Sequence, residues 1–253
     1  AALPTDAQPG VLGPEPDPLD HHAASLPALR ARLQALLQLA LGAAALELYI
    51  GSIARHDPPR EWSYIGRHLG MYAEDLELLG LFFAEPWTVW RPCIAQQSPH
   101  QRAYLLHRAA LALRHVGRVC DAVAPFAAAH GLYRELGSPE RAATCANDLA
   151  ETQVALGALE DAENWASEGL RDARRHFETT PHNDHAGLRQ ARITVSLTLA
   201  TRGLVAHRRG DPRSAGRLFA DAERETEAIV EMESEQGTLV ASGERYIFSR
   251  PGL

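Results

Sequence analysis

Few residues in this chain stand at spacings that chemistry requires. Cys145 with His107 or His130 is a conceivable nucleophile and base, and Asp148 with Glu151 a conceivable acid pair. Asp148 and Glu151 are three apart, so a helix would set them on one face, but any solvated helix displays charge in the same way. The tightest histidine cluster, His182, Asp184 and His185, could share a face around a metal. No third or fourth ligand stands near it, and a solvated loop is the simpler reading. A nucleophile elbow and a glycine-rich phosphate loop are both absent. All 25 basic residues are Arg, which excludes a P-loop lysine and a Schiff-base amine within the chain. These residues call for no metal and no cofactor, and they point to binding rather than catalysis.

Charge narrows the partner. The formal charge is −7 and the isoelectric point about 5.9, so no net positive field draws nucleic acid in. Two basic turns stand out locally: Arg171, Arg174, Arg175 and His176, then Arg202, His207, Arg208 and Arg209. The negative end of a helix dipole is a sufficient reason for both, and contact with phosphate is the sharper alternative. Three cysteines (Cys93, Cys120, Cys145) without CxxC spacing argue against a disulfide framework or zinc knuckle. Cys120 and Cys145 fall at expected packed positions. The longest apolar run, Leu36 to Ile50, contains Glu47 and is too short to span a bilayer comfortably. No signal peptide is read, so a reducing cytoplasm is expected.

The elements that would position these residues are helices. Residues 1–22 carry five prolines among Asp, Glu and Gly and are expected to form a disordered arm. Residues 23–98 read as an N-terminal helical segment with a Trp/Pro linker. Its first helix should open near the N-cap Ser25 and reach Ile53 with a bend at Gly42. A second, with apolar positions from Tyr64 to Phe82, should end at Pro86. Trp87 and Trp90 are expected to seal the side of the first repeat.

Residues 99–235 contain one pattern three times. A Gly closes a helix (Gly117, Gly157, Gly210), and a small residue follows five places later (Ala122, Ala162, Ala215). Aromatic or small residues then recur nine and twelve places after the Gly: Phe126 and Ala129, Ala166 and Gly169, Phe219 and Ala222. This resembles the tetratricopeptide repeat (TPR), in which small residues let antiparallel helices approach closely. The glycines stand 40 and then 53 residues apart, so the helices must be longer than those of the 34-residue repeat, or the turns decorated. Residues 236–253 read as a capping segment. The expected fold is all-α, a right-handed α-solenoid of TPR-like hairpins with an N-terminal helical extension.

Met71 to Trp87, Leu106 to Gly169 and Ala215 to Arg250 are similar to a TPR sensor region found in bacterial STAND-type signalling proteins. No P-loop accompanies them here, so any ATPase belongs to another segment or another protein. The resemblance implies that the first helix of each pair lines a concave groove. Counted back from each glycine, that groove would hold Tyr104, His107, Leu111, Arg114 and His115, then Thr144, Asn147, Glu151, Val154 and Ala155, then Leu197, Ala200, Leu204, His207 and Arg208. TPR cochaperones hold a terminal carboxylate with Lys and Asn; here Asn147 would need Arg108 or Arg114 in place of Lys. The expected function is a sensor or adaptor that binds a protein or peptide segment and is coupled to a separate effector or switch. The alternative is an enzyme or small-molecule binder with a closed pocket between residues 24–84 and the repeats, roofed by the Trp-rich linker.

Overall fold

A computed structural model describes residues 18–53, 65 and 70–235. The expected arm over residues 1–17 and the expected cap over 236–253 lie outside the described residues. The element order is α1 (Pro18–Gln38), α2 (Gly42–Glu47) running into a π-helical turn (Leu48–Ile53), α3 (Tyr72–Gly80), a hairpin of β1 (Phe83–Glu85) and β2 (Val89–Trp90), and α4 (Pro92–Ala95). Six longer helices complete it: α5 (Pro99–His115), α6 (Val119–Glu135), α7 (Pro139–Ala155), α8 (Leu159–Thr179), α9 (His185–Arg208) and α10 (Pro212–Glu235).

These six pack each on the next, and α7 also packs on α9, so the chain builds an all-α, solenoid-like stack of hairpins. One turn chemistry ends four of the helices. At α5, the residue after the glycine, Arg118, donates its N–H to Leu113 five places back, and Ser138, Ala158 and Asp211 repeat that bond to Tyr133, Gln153 and Ala206. Gly117, Gly137, Gly157 and Gly210 take the left-handed conformation that this closure needs, with φ of 85°, 65°, 75° and 81°. Gly137, between α6 and α7, does the same work as the three glycines that mark the repeat. Alpha5 opens with a reciprocal cap between Ser98 and Gln101, and α9 with the Asp184 carboxylate accepting the Gly187 N–H at 2.9 Å. Asp184 is thereby spent on the helix end, and among the described residues no three His, Cys, Asp or Glu side chains gather as a metal group.

Small residues set the spacing between helices. A Cβ on Gly169 would stand 3.3 Å from the Ala146 Cβ, and one on Gly203 would stand 2.7 Å from the Phe219 ring. The uneven repeat length resolves into longer helices, 17 residues each in α5 to α7 but 21 in α8 and 24 in α9 and α10, plus the link around Pro181. Between pairs, Phe126 of α6 is fully buried in a cluster with Ala110, Leu113, Ala122 and Leu149. Burying a side chain of that size stabilises by roughly 2–3 kcal/mol.

The N-terminal part departs from its expected outline. Alpha1 opens at Pro18, inside the stretch expected as disordered arm, with Pro suited to a first turn. It breaks at Leu39–Leu41, where Ala40 takes φ 57°, and not at Gly42. Gly42 serves packing: a Cβ there would stand 2.3 Å from the Cys93 carbonyl oxygen. The helix expected to run to Pro86 stops at Gly80, because residues 83–90 pair as an antiparallel hairpin. Its cross-strand partners Phe83 and Trp90 stack with centroids 4.3 Å apart. Trp87 packs edge-on to Phe83 and against the cluster containing Ala110 and Phe126, so it does seal the first repeat. Cys145 is buried as expected, whereas Cys120 is exposed at the start of α6.

Candidate partner-binding face

The first helices of the three pairs, α5, α7 and α9, bring the candidate groove residues into one layer, but those residues are not equally accessible. Tyr104 and Arg108 are buried. Arg108 donates to the Asp75 carboxylate of α3, and the Tyr49 hydroxyl donates to the other Asp75 oxygen at 2.6 Å. All three side chains are withdrawn from water. Burial, followed by the Asp75 charge, pushes the Tyr49 phenol well above its ordinary value and keeps it a proton donor. Burial is the largest effect and alone would lower Arg108, but Asp75, Tyr49 and Tyr104 together outweigh it and hold the guanidinium charged. Arg108 is thus a structural cation that joins α5 to the N-terminal helices, a correction to its place among the candidate groove residues.

Asp148 of α7 is the centre of the polar network on this face, although it occupies none of the expected groove positions. His107 Nε2 donates to Asp148 Oδ2 at 2.9 Å. Arg114 donates to Asp148 Oδ1 at 3.0 Å, to the Asp148 carbonyl at 3.1 Å and to Glu151 at 3.2 Å, with its guanidinium 5.7 Å from the Phe126 centroid. Burial works to raise the Asp148 carboxyl, but the His107 hydrogen bond and the Arg114 charge prevail and hold it below the usual carboxylate range. Glu151 moves the other way. Burial and then the Asp148 charge raise it, against the opposing effects of Arg114 and a hydrogen bond from Thr201 of α9.

The acid pair is therefore bridged by an arginine, and both candidate bases are occupied: His107 by Asp148, and His130 of α6 by Asp172 of α8 at 3.1 Å. The expected carboxylate clamp loses its cation, since Arg108 is buried against Asp75 and Arg114 already holds two carboxylates. Asn147 is half-buried in α7.

The same wiring recurs on the second helices, where Arg134 of α6 reaches Glu168 of α8 at 3.3 Å and Trp165 sets its edge against His130. A cation on one helix meets a carboxylate about one repeat later. These pairs were visible only as isolated residues, because nothing in a linear pattern says which turn of one helix faces which turn of another.

The remaining candidates are accessible. His115 is exposed and stacks on Tyr72 of α3 with centroids 3.9 Å apart; burial and then the Arg114 charge lower its pKa below the ordinary histidine value. Leu111 and Glu151 are half-buried, and His207 and Arg208 are exposed at the end of α9. Along α9 the half-buried Ile193, Ala200 and Leu204 and the 41% exposed Leu197 form an apolar stripe at helical spacing. Ile193 extends that stripe beyond the expected positions, and the step of four back from Leu197 is the sequence signal for it. Among the described residues, the space between the N-terminal helices and the repeats is filled by a continuous core containing Leu33, Leu46, Tyr49, Leu79, Phe82 and Leu105. No described helix is long and apolar enough to cross a membrane.

No protein-family profile matches the chain, and none of the curated proteins is similar to it. Among solved structures it is similar to BtubC (BKLC) from P. vanneervenii at 17% identity, covering 84% of this chain and 91% of that one with a TM-score of 0.35.

Proposed function

We propose that this chain is a binding module that holds a protein segment along the layer of α5, α7 and α9, and that it belongs to the tetratricopeptide class of adaptors. The observation that carries this reading is the α9 stripe. Ile193, Leu197, Ala200 and Leu204 present an apolar surface beside the polar network of Asp148, Glu151 and Arg114. An amphipathic helix with apolar residues every three or four positions matches that surface, its polar edge meeting the charges of α7. His115, His207 and Arg208 extend the face at its ends, Leu111 lies between, and Tyr104 and His107 support it from beneath. Bacterial signalling, a cytoplasmic setting and coupling to a separate effector or switch protein complete the proposal.

The test is binding of a helical partner found by proximity labelling in the source cell, compared between the unchanged protein and Leu197→Asp with Leu204→Asp. Loss of the partner with an intact circular dichroism spectrum supports the reading. Full retention of every labelled partner rejects it.

A further inference from the structure

Arginines from two separate stretches of sequence meet in one cleft. Arg171, Arg174 and Arg175 of α8 and Arg202 of α9 line an open cleft of about 690 Å3, beside Leu170 and Glu178. Two of the four guanidiniums are partly neutralised, Arg171 by Glu168 at 2.8 Å and Arg202 by Glu163 at 3.0 Å. Arg202 still carries a buried Nε without a hydrogen-bond partner. Arg174 and Arg175 have no ion-pair or hydrogen-bond partner among the described residues.

The ordinary reason for arginines near the end of a helix is to satisfy its last carbonyls. Two of the carbonyls near the end of α8 are already met by threonine hydroxyls. The Thr179 hydroxyl donates to the Arg175 carbonyl at 2.8 Å, and the Thr180 hydroxyl donates to the His176 carbonyl at 2.8 Å. Like charges gathered at a cleft repel one another, and Glu178 is the one carboxylate in the lining. Arg174 and Arg175 thus leave a local positive excess at the cleft, in a chain whose overall charge is −7. Guanidinium forks meet phosphate oxygens two at a time, and two unpaired forks match a ligand carrying at least two negative charges. The volume admits more than one phosphate group. Arg174 also borders an adjoining cleft of about 330 Å3, lined by Phe177, Val195 and Leu199 and by the charged Asp221, Arg224 and Glu225.

We infer that the cleft between α8 and α9 is a polyphosphate-binding site, with Arg174 and Arg175 as its principal contacts. It lies apart from the α9 stripe and does not depend on that surface binding a partner.

The probe is inorganic pyrophosphate, titrated calorimetrically into the full chain at low salt and again at physiological salt. A single saturable site is expected, weakened about tenfold or more in Arg174→Ala/Arg175→Ala and unchanged in Arg209→Ala/Arg213→Ala, which removes the same charge elsewhere. Acetate at the same ionic strength should not compete. Because Arg174 and Arg175 are exposed and unpaired, both double variants should keep the thermal midpoint of the unchanged protein. Absence of saturable binding in millimolar pyrophosphate would overturn the assignment. Equal weakening by the two double variants, or competition by acetate, would overturn it too, since either shows a diffuse charge effect and no site.

Discussion

Arg108 of α5 and Asp75 of α3 form a buried ion pair, separated by 33 residues in sequence, that fastens the N-terminal helices to the first hairpin of the stack. Its energetics are asymmetric. The intact pair roughly offsets the cost of removing both charges from water, whereas either charge left alone is expensive.

Asp75→Ala should therefore lower stability by about 3–5 kcal/mol in urea unfolding, while the joint change Asp75→Leu/Arg108→Met should recover most of that loss. A single-variant loss near zero would mean that Arg108 is solvated and free to meet a partner.

The opposed shifts of Asp148 and Glu151 give a pH signature. A carboxyl lowered on folding adds stability that is present above its unfolded pKa and lost as pH falls through its folded one. The difference between the unchanged protein and Asp148→Asn should accordingly be largest at neutral pH and close as pH falls below about 4, the ordinary carboxylate value. Glu151, raised on folding, costs stability as pH rises through its folded value. Glu151→Gln should therefore gain relative to the unchanged protein between acid and neutral pH. Urea midpoints measured across that range check both signs, and parallel curves for all three proteins would contradict them.

Gly42→Ala sets two effects against each other. Alanine favours the helix by about 1 kcal/mol over glycine, but its Cβ would stand 2.3 Å from the Cys93 carbonyl oxygen, a backbone atom that cannot swing aside. Overpacking of this kind costs about 1–3 kcal/mol, so the expected net effect is destabilising. Gly157→Ala should cost about 1–2 kcal/mol for a different reason, the left-handed φ of 75° at the end of α7. Thermal denaturation of the two variants reads both.

Leu197→Asp, at an exposed position of α9 flanked by the buried Ser196 and Thr198, should change stability by no more than about 0.5 kcal/mol while weakening a helical partner. A large loss of stability instead would show that the stripe is covered in the folded protein.

Much of the architecture was legible because helix ends and small residues are local signals. A glycine just before the next helix, or an alanine where two backbones nearly touch, needs no knowledge of the distant chain. Gly137 escaped the repeat count because it closes the second helix of a pair. Ala110, Ala150 and Gly203, each seven places before a closing glycine, belonged to the same pattern. The hairpin of residues 83–90 was hidden because its stability comes from Phe83 meeting Trp90 across the turn and not from a strand-like alternation.

From residue order alone came the helical hairpins, their boundaries near the closing glycines, and the absence of the lysine that a P-loop or a Schiff-base site requires. Tertiary packing decided which charges are spent and which are available: Arg108 buried on Asp75, Arg114 shared between Asp148 and Glu151, and Arg174 and Arg175 left unpaired beside Arg202. A side chain's accessibility depends on the rotation and offset of the helix facing it, and a shift of one turn in that contact would exchange paired residues for free ones without altering the repeat pattern.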